Sequence, residues 1–291
     1  MKLSEMKDGR LALTVAAACI GIFGWSFAAY GADDYSQWAH AGAITLNTTA
    51  TGAGVTTAQT GFPVLMRLTS GNFTFSQALS GGKDIRFATS GGVHIPYQIE
   101  RWDSTNQVAE IWVKVDVLGN NNTQSITMYW GKAGAADSSS GSAVFAPANG
   151  FAGVWHMSDG GTGPRADATG NGLNAVPYYY DGTESRNGAI ANGDSLRGGA
   201  GQGNGGNWNY PCPITMTAVP TNDYLRVASN IADWSTGMTF SVWANPSALV
   251  NQAAFLDFST DTTGQCENWQ ARNNIMFYQK DAAGSLVPCN A

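Results

Sequence analysis

The segment VWHMSDGG (residues 154–161) contains a pair of side chains that takes part in nucleophilic catalysis in many hydrolases. His156 precedes Asp159 by three positions, and a histidine base oriented by an aspartate activates a serine or cysteine nucleophile. The sequence has no G-x-S-x-G nucleophile elbow. A strand over residues 151–157 would place His156 and Val154 on one face. We therefore predict that His156 is a packed, hydrogen-bonded side chain and that Asp159 belongs to the turn after it.

Paired carboxylates would indicate a second chemistry, the hydrolysis of glycosidic bonds. A retaining enzyme needs two carboxyl groups about 5–5.5 Å apart, which closely spaced acids on one strand can supply. Asp257 and Asp261 are four residues apart. Glu110 and Asp116 share one face of a strand but are about 20 Å apart along it. We interpret their face, with Lys114 between them, as solvated, and we predict no catalytic residues.

The segment DATGNG (167–172) is the best candidate for an ion site. Asp167 and Asn171 would supply side-chain oxygens and the turn would add carbonyl oxygens, a ligand set that suits calcium. The same residue types also form Asx-type turns that need no metal. The sequence leaves both alternatives open, a structural calcium as cofactor or a metal-free turn.

Aromatic side chains flanked by polar residues are candidates for binding carbohydrate, because their flat apolar faces can stack on sugar rings. Trp112 lies on the charged face of its strand, and Trp243 lies on the face of its strand opposite apolar residues. Trp208 and Tyr210 lie in a glycine-rich segment that follows the YYYD run at 178–181. We predict these four residues as the carbohydrate-binding set, although each could instead cover a sheet or a domain junction.

The composition of the 291 residues is typical of an exported β-protein. Charged residues make up 12%, about half the usual share, whereas the chain has 36 glycines and 32 aromatic residues (10 Trp, 10 Tyr and 12 Phe). Short strands need turn residues at each reversal and aromatic or β-branched residues between them. The net charge of −6 argues against a nucleic-acid partner, whose phosphates would be repelled.

Alternation of apolar and polar residues recurs from residue 60 onward and predicts an all-β fold of antiparallel strands. The clearest cases are FPVLMRL (62–68) and VAEIWVKVDV (108–117). A glycine-rich linker at 131–150 precedes a second β region that starts at Phe151. Its predicted strands are 151–157, 223–229, 238–247, 253–259 and 274–280, and residues 192–213 are predicted to form a flexible surface insertion.

The N-terminal residues 1–32 resemble an export signal. Lys2, Lys7 and Arg10 precede a long apolar run that ends in small residues. We expect cleavage near Gly31 or Ala32, with an uncleaved membrane anchor as the alternative. Beyond the leader there are three cysteines, Cys212, Cys266 and Cys289, and export permits one disulfide among them. A hairpin turn at 281–284 would place Cys289 opposite a residue near Met276.

Two families resemble successive parts of the chain. The elements GFPVLMRL, GGKDIRFAT, IPYQIERWD, AEIWVKV and ITMYWGKAGA, all within residues 33–146, resemble in order a bacterial domain of unknown function, DUF2341. Members of that family often precede a laminin G-like or concanavalin A-like module in exported proteins, and some accompany TolQ/ExbB-type proton-channel components.

Residues 147–291 resemble the opening strands of a concanavalin A-like (laminin G-like) jelly roll, through GVWHMSD, DATGNGLNA, NDYLRVAS and MTFSVWANPSA. This resemblance implies two packed antiparallel sheets, carbohydrate recognition and, often, structural calcium. The later strands of that family are missing, so we expect an incomplete jelly roll.

The sequence as a whole predicts an exported, non-enzymatic protein of the cell surface, periplasm or extracellular space. Its partner would be carbohydrate or a cell-surface protein, and it would contact membrane only through an uncleaved leader. One alternative is a structural or assembly component, such as a filament or homo-oligomer subunit or an accessory of a TolQ/ExbB-type complex. The second alternative is a glycoside hydrolase.

Overall fold

A computed structural model describes residues 34–197, 223–227, 231, 237 and 239–245, together with the backbone of four strands between 254 and 289. The predicted leader (1–32) lies outside the described residues. In the part of the chain that is described, no helix is long and apolar enough to cross a membrane.

Six antiparallel strands form a β-sandwich in the first half of the chain. They are β1 (His40–Leu46), β2 (Gln59–Thr69), β3 (Arg86–Thr89), β4 (Tyr97–Asp103), β5 (Val108–Val117) and β6 (Gln124–Trp130). One sheet has the order β1-β6-β3 and the other has the order β2-β5-β4. The predicted all-β class is confirmed.

The core lies between the two sheets and follows the alternation predicted for β5. Ile111 and Val113 are fully buried and Val115 is 3% exposed, and they share one apolar cluster with Phe87 of β3 and Met128 of β6. Burial of each such side chain contributes about 1.5–3 kcal/mol. The sandwich is therefore stabilised mainly by the inward-facing residues that the sequence pattern identifies.

Phe62 is less buried than the alternation predicts. Its side chain is 52% exposed, whereas Leu68 on the same strand is 5% exposed. The pairing of β2 with β5 shifts register between Gln59 and Phe62, and Gly61 has a φ of +60°. Such a bulge bends the strand, so Phe62 begins the regular part of β2 at its exposed end.

The outer face of β5 is not solvated at Glu110, so that interpretation is wrong for this residue. Glu110 is 3% exposed, because β5 is the central strand and arginines lie opposite it on both neighbours. Arg101 on β4 donates through Nε and Nη2 to the two carboxylate oxygens at 2.6 and 2.8 Å, and Nε of Arg67 on β2 lies 3.9 Å away. Asp116 accepts a hydrogen bond from the backbone of Gly61 at 2.7 Å.

Beyond the sandwich the elements are short. A single helical turn, α1 (Gly141–Val144), is capped by Ser140. The strands are β7 (Val176–Tyr178), β8 (Ser185–Asn187), β9 (Asn192–Asp194), β10 (Tyr224–Arg226), β11 (Ala254–Asp257), β12 (Gln270–Arg272), β13 (Phe277–Lys280) and β14 (Leu286–Cys289). They form two two-stranded ribbons, β7-β10 and β8-β9, and a four-stranded meander, β11-β12-β13-β14.

Two of the predicted strands do not form. In residues 151–157 there is only an isolated bridge between Trp155 and Asp167, and Met157 has a φ of +61°, which breaks the extended alternation. The described residues 239–245 carry no strand either. Both segments therefore depart from the jelly-roll strands that the sequence suggests.

The start of the predicted flexible insertion, 192–213, is instead an ordered part of the fold. Asp194, at the end of β9, has a side chain 2% exposed and binds Arg165, whose side chain is fully buried. All five guanidinium N–H groups of Arg165 have acceptors: two go to Asp194 and three to the carbonyls of Gly160, Gly161 and Gly163. Complete pairing is what allows a charged group to be buried.

The hairpin β13-β14 agrees with the turn predicted at 281–284. Cys289 pairs with Phe277 and Leu286 pairs with Lys280, so Cys289 stands next to the position predicted for it. Cys212 and Cys266 lie outside the described residues, and the disulfide stays a prediction.

Candidate functional site

His156 lies at the junction between the sandwich and the chain that follows it. Its side chain is 13% exposed. Nε2 lies 3.0 Å from Oε1 of Gln98, and Nδ1 lies 3.2 Å from Oε2 of Glu100. Because a carboxylate can only accept, Nδ1 donates to Glu100. The predicted packed, hydrogen-bonded state of His156 is therefore what the structure shows.

Trp112 completes this arrangement from the outer face of β5. Its ring stacks on His156 with centroids 6.3 Å apart, and its indole N–H donates to Oε2 of Glu100. Phe145, just after α1, packs against both rings at centroid distances of 5.5–5.7 Å. We call Gln98, Glu100, Trp112, Phe145 and His156 the junction cluster. These contacts pack the Trp112 ring against other residues of the chain, so the ring does not form an open surface.

Asp159 lies in the bend that follows His156. Its Oδ2 accepts a hydrogen bond from the backbone N–H of Ala166 at 3.1 Å. It therefore closes the loop between residues 159 and 166, and it is Glu100, not Asp159, that contacts His156.

Asp167 and Asn171 form a tightly bonded turn. The carboxylate of Asp167 accepts hydrogen bonds from the backbone N–H groups of Val154, Thr169 and Leu173 and from the Thr169 hydroxyl, at 2.8–3.2 Å. The Asn171 amide donates to the carbonyl of Ala152 at 2.9 Å. This is the Asx-type turn that the sequence allows. The described residues contain no group of three His, Cys, Asp or Glu side chains that could hold a metal.

The predicted aromatic residues of the second half divide into two groups. Trp243 is 78% exposed, and its neighbour Val242 is 61% exposed. Trp208 and Tyr210 lie outside the described residues. Of the predicted acids, Asp257 lies on β11, and Asp261 is likewise outside the described residues. Trp243 is thus the one member of the predicted set for which the structure describes a freely accessible ring.

Tyrosines of the YYYD run form an exposed aromatic surface together with Tyr224. β7 and β10 pair so that Tyr178 lies opposite Tyr224 and Val176 lies opposite Arg226. Residues two apart on a strand, and residues directly opposite, share a face, so these four side chains lie together. The rings of Tyr178 and Tyr224 are parallel within 3° at a centroid distance of 4.6 Å.

Tyr179 joins the same surface because its backbone breaks the alternation. Strict alternation would direct Tyr179 to the opposite face, but its φ is +63°, and its ring lies 6.0 Å from that of Tyr224 at an angle of 59°. Tyr179 is 37% exposed and Tyr224 is 39% exposed. We call Val176, Tyr178, Tyr179, Tyr224 and Arg226 the tyrosine surface.

The hydroxyl of Tyr224 remains a hydrogen-bond donor at physiological pH. Partial burial, followed by the nearby Tyr178 and Tyr179, raises the pKa of Tyr224 above its ordinary value of 10.0. The surface therefore combines flat apolar ring faces with hydroxyl groups that can donate or accept.

Arg197 holds the tyrosine surface in place from its edge. Its guanidinium donates to the carboxylate of Asp223, the residue before Tyr224, at 2.9 Å, and to the carbonyl of Tyr179 at 3.0 Å. It also pairs with Asp181 and with Glu184. One arginine thus connects the end of β7 to the start of β10.

A cleft of about 370 Å³ opens at one end of the sandwich. It is lined by Ser70, Phe73, Thr74, Phe75, Ser76, Ser104 and Gln107. Phe73 and Phe75 belong to the core and are each 6% exposed, so neither presents an open ring face. None of the predicted site residues lines this cleft.

Comparison with known proteins identifies part of the sandwich. Residues 81–158 match a family described as a domain of unknown function (DUF2341), which confirms the first resemblance over that range. No curated protein and no solved structure matches the chain. The match spans β3 to β6 and continues past the expected boundary at 146 to include His156, so the whole junction cluster lies within it.

The first prediction concerns the junction cluster. Replacement of His156 by alanine should lower the free energy of unfolding by about 1–3 kcal/mol, because it leaves a space beside Trp112 and removes a donor to Glu100. His156→Phe keeps a ring on Trp112 without an N–H, so its loss should be intermediate. Thermal and urea unfolding of the purified protein measure both. A His156→Ala variant that unfolds like the parent but loses a bound metal or an activity would contradict the packing role.

The second prediction concerns Asp167. Burial alone would raise the pKa of its carboxyl group, but hydrogen bonds from Thr169, Val154 and Leu173 outweigh burial and lower it below 3.8. A lowered pKa in the folded state stabilises the fold above the unfolded value and loses that effect as the pH falls. Asp167→Asn should therefore cost about 1–2 kcal/mol at pH 7 and progressively less below about pH 4, measured by urea unfolding. A cost that does not change with pH would contradict this.

The same two proteins also test the calcium alternative. Calcium at about 1 mM, the range in which extracellular sites bind it, should raise the melting temperature of the parent and not that of Asp167→Asn if Asp167 is a ligand. An equal response of the two proteins would leave the metal-free turn as the explanation.

Proposed function

We propose that this is an exported, non-enzymatic protein that binds carbohydrate through exposed aromatic side chains in the part of the chain after the sandwich. The observation that carries the proposal is the tyrosine surface, where the rings of Tyr179 and Tyr224 remain open beside polar groups. Sugar rings present faces of C–H groups that pack on aromatic rings, and their hydroxyl groups need nearby donors and acceptors.

Other features support the same function. Trp243 adds a further accessible ring, 78% exposed. The leader-like segment at 1–32 supports export. The sequence resemblance of residues 147–291 to concanavalin A-like modules suggests a lectin-like role, even though 151–157 and 239–245 form no strand. Trp208 and Tyr210 stay candidates within that role, and calcium at Asp167 and Asn171 stays a proposal that the unfolding experiment above tests.

Assembly is the second candidate function, and one observation favours it. In the meander β11-β12-β13-β14, the described residues show no second partner for the outer strands β11 and β14. Open strand edges pair readily with other chains. A cell-surface partner protein, a filament subunit or a role beside a TolQ/ExbB-type complex would use these edges instead of the aromatic rings.

Binding to immobilised polysaccharides tests the carbohydrate proposal. The parent should retain at least one polysaccharide, and Tyr224→Ala and Trp243→Ala should each weaken binding about fivefold, since an aromatic contact contributes about 1 kcal/mol. Phe62→Ala is the matched control, because it removes an exposed ring, 52% exposed, from the sandwich.

Two results would contradict the proposal. One is the absence of binding to every polysaccharide by a folded parent protein. The other is an equal loss of binding in Phe62→Ala, which would show that the rings of the second half are not special. Release of reducing sugar that depends on Asp257 would instead favour a glycoside hydrolase.

A further inference from the structure

Arg226 differs from the other arginines whose side chains the structure describes. The other six with described side chains all donate hydrogen bonds to carboxylate, carbonyl or hydroxyl oxygens: Arg67, Arg86, Arg101, Arg165, Arg186 and Arg197. For Arg226, by contrast, no hydrogen bond or ion pair is found within the described part of the chain, and its side chain is exposed. Its guanidinium therefore has donors available to a ligand.

The position of Arg226 makes it part of the tyrosine surface. It lies opposite Val176 on the ribbon and two residues from Tyr224, and so on the same face as both. Val176 is 44% exposed. A ligand that lies on the rings of Tyr178 and Tyr224 would therefore reach Val176 and the guanidinium side by side at the next cross-strand pair.

The neighbouring acids do not neutralise this cation. Asp223 and Asp181 are the nearest acids in sequence to the two tyrosine strands, and both are paired with Arg197. Glu184 is paired with the same arginine and its side chain is 1% exposed. Among the described residues, no carboxylate pairs with Arg226, so its positive charge stands beside the open rings.

We propose that the carbohydrate bound by the tyrosine surface is acidic, with a carboxylate-bearing sugar placed at Arg226. This inference rests on the proposed function, since it names the class of sugar for the same site. A guanidinium presents parallel N–H groups that match the two oxygens of a carboxylate. Because the chain carries a net charge of −6, selectivity comes from this local contact and not from attraction by the whole protein.

Oligomers of polygalacturonate and their methyl esters are the probes that test this inference. The carboxyl group is an anion in the acid form and a neutral methyl ester in the other, while the sugar backbone is the same. The full-length parent should bind the acid form about three- to tenfold more tightly than the ester, the range expected for a charge-assisted contact that is partly exposed. Arg226→Gln should bind both forms with the affinity that the parent has for the ester.

Control variants separate this inference from the proposed function. Tyr224→Ala should weaken binding of both forms alike, and Lys114→Gln, which removes a cation from the outer face of the sandwich, should change neither. Unfolding curves that match the parent for Arg226→Gln show that the variant is folded, as its exposure predicts.

The outcomes are distinct. Equal affinity of the parent for acid and ester, or a preference for the acid that survives in Arg226→Gln, would overturn the inference and leave carbohydrate binding intact. Binding of neither form, or of any neutral polysaccharide, would overturn both proposals.

Discussion

One buried carboxylate, that of Glu100, lies at the centre of the contacts that join the chain after the sandwich to it. The Glu100 side chain is 2% exposed, and a carboxylate in that position is tolerated only when donors satisfy it. Trp112 supplies a donor from the neighbouring strand, and His156 supplies another from a segment 56 positions further along the chain. Residues 145–156 therefore cover the outer face of this sheet and supply a donor that Glu100 needs. The DUF2341 match, which extends to residue 158, includes this covering segment.

Charged side chains in the chain after the junction cluster are likewise paired with hydrogen-bond partners. Arg165 is buried by binding three carbonyls and Asp194, and its guanidinium lies 5.0 Å from the ring of Tyr180. Arg197 then links the ends of β7 and β10. Because β7 and β10 are three residues each, too short to be stable alone, these arginines supply the order that backbone pairing does not. The tyrosine surface therefore depends on the ion pairs of the half-exposed Arg197 as well as on the pairing of the ribbon.

Sequence patterns predicted the parts of this fold that depend on local periodicity. The alternation in β5 gives the inward face correctly, because the central strand of a sandwich buries every second residue. The prediction that the outer face is solvated fails for Glu110, whose burial depends on Arg67 and Arg101 from two other strands. No spacing in the sequence indicates that these strands lie beside it. The predicted alternation fails again at residues 151–157, where Met157 adopts a left-handed conformation.

The candidate site was predictable only in part. The exposed state of Trp243 agrees with its place among the predicted carbohydrate-binding residues, but the pairing of Tyr178 with Tyr224 joins residues 46 positions apart. The left-handed backbone of Tyr179, which brings its ring to that pair, has no sequence signal comparable to a glycine. The single useful signal was the YYYD run itself, which marks an unusual density of aromatic residues beside an acid.

A double-mutant cycle between Glu100 and His156 tests whether their contact holds residues 145–156 on the outer face of the sandwich. The four proteins are the parent, Glu100→Gln, His156→Ala and the double variant, and the quantity measured is the free energy of unfolding in urea. Trp112 and His156 both donate to Oε2 of Glu100, so Glu100→Gln removes the charge that both donors meet, and the cycle measures how much of that loss depends on His156. If the contact has this role, the two losses fail to add, with a coupling free energy of about 1–3 kcal/mol. Losses that add to within about 0.5 kcal/mol would contradict it.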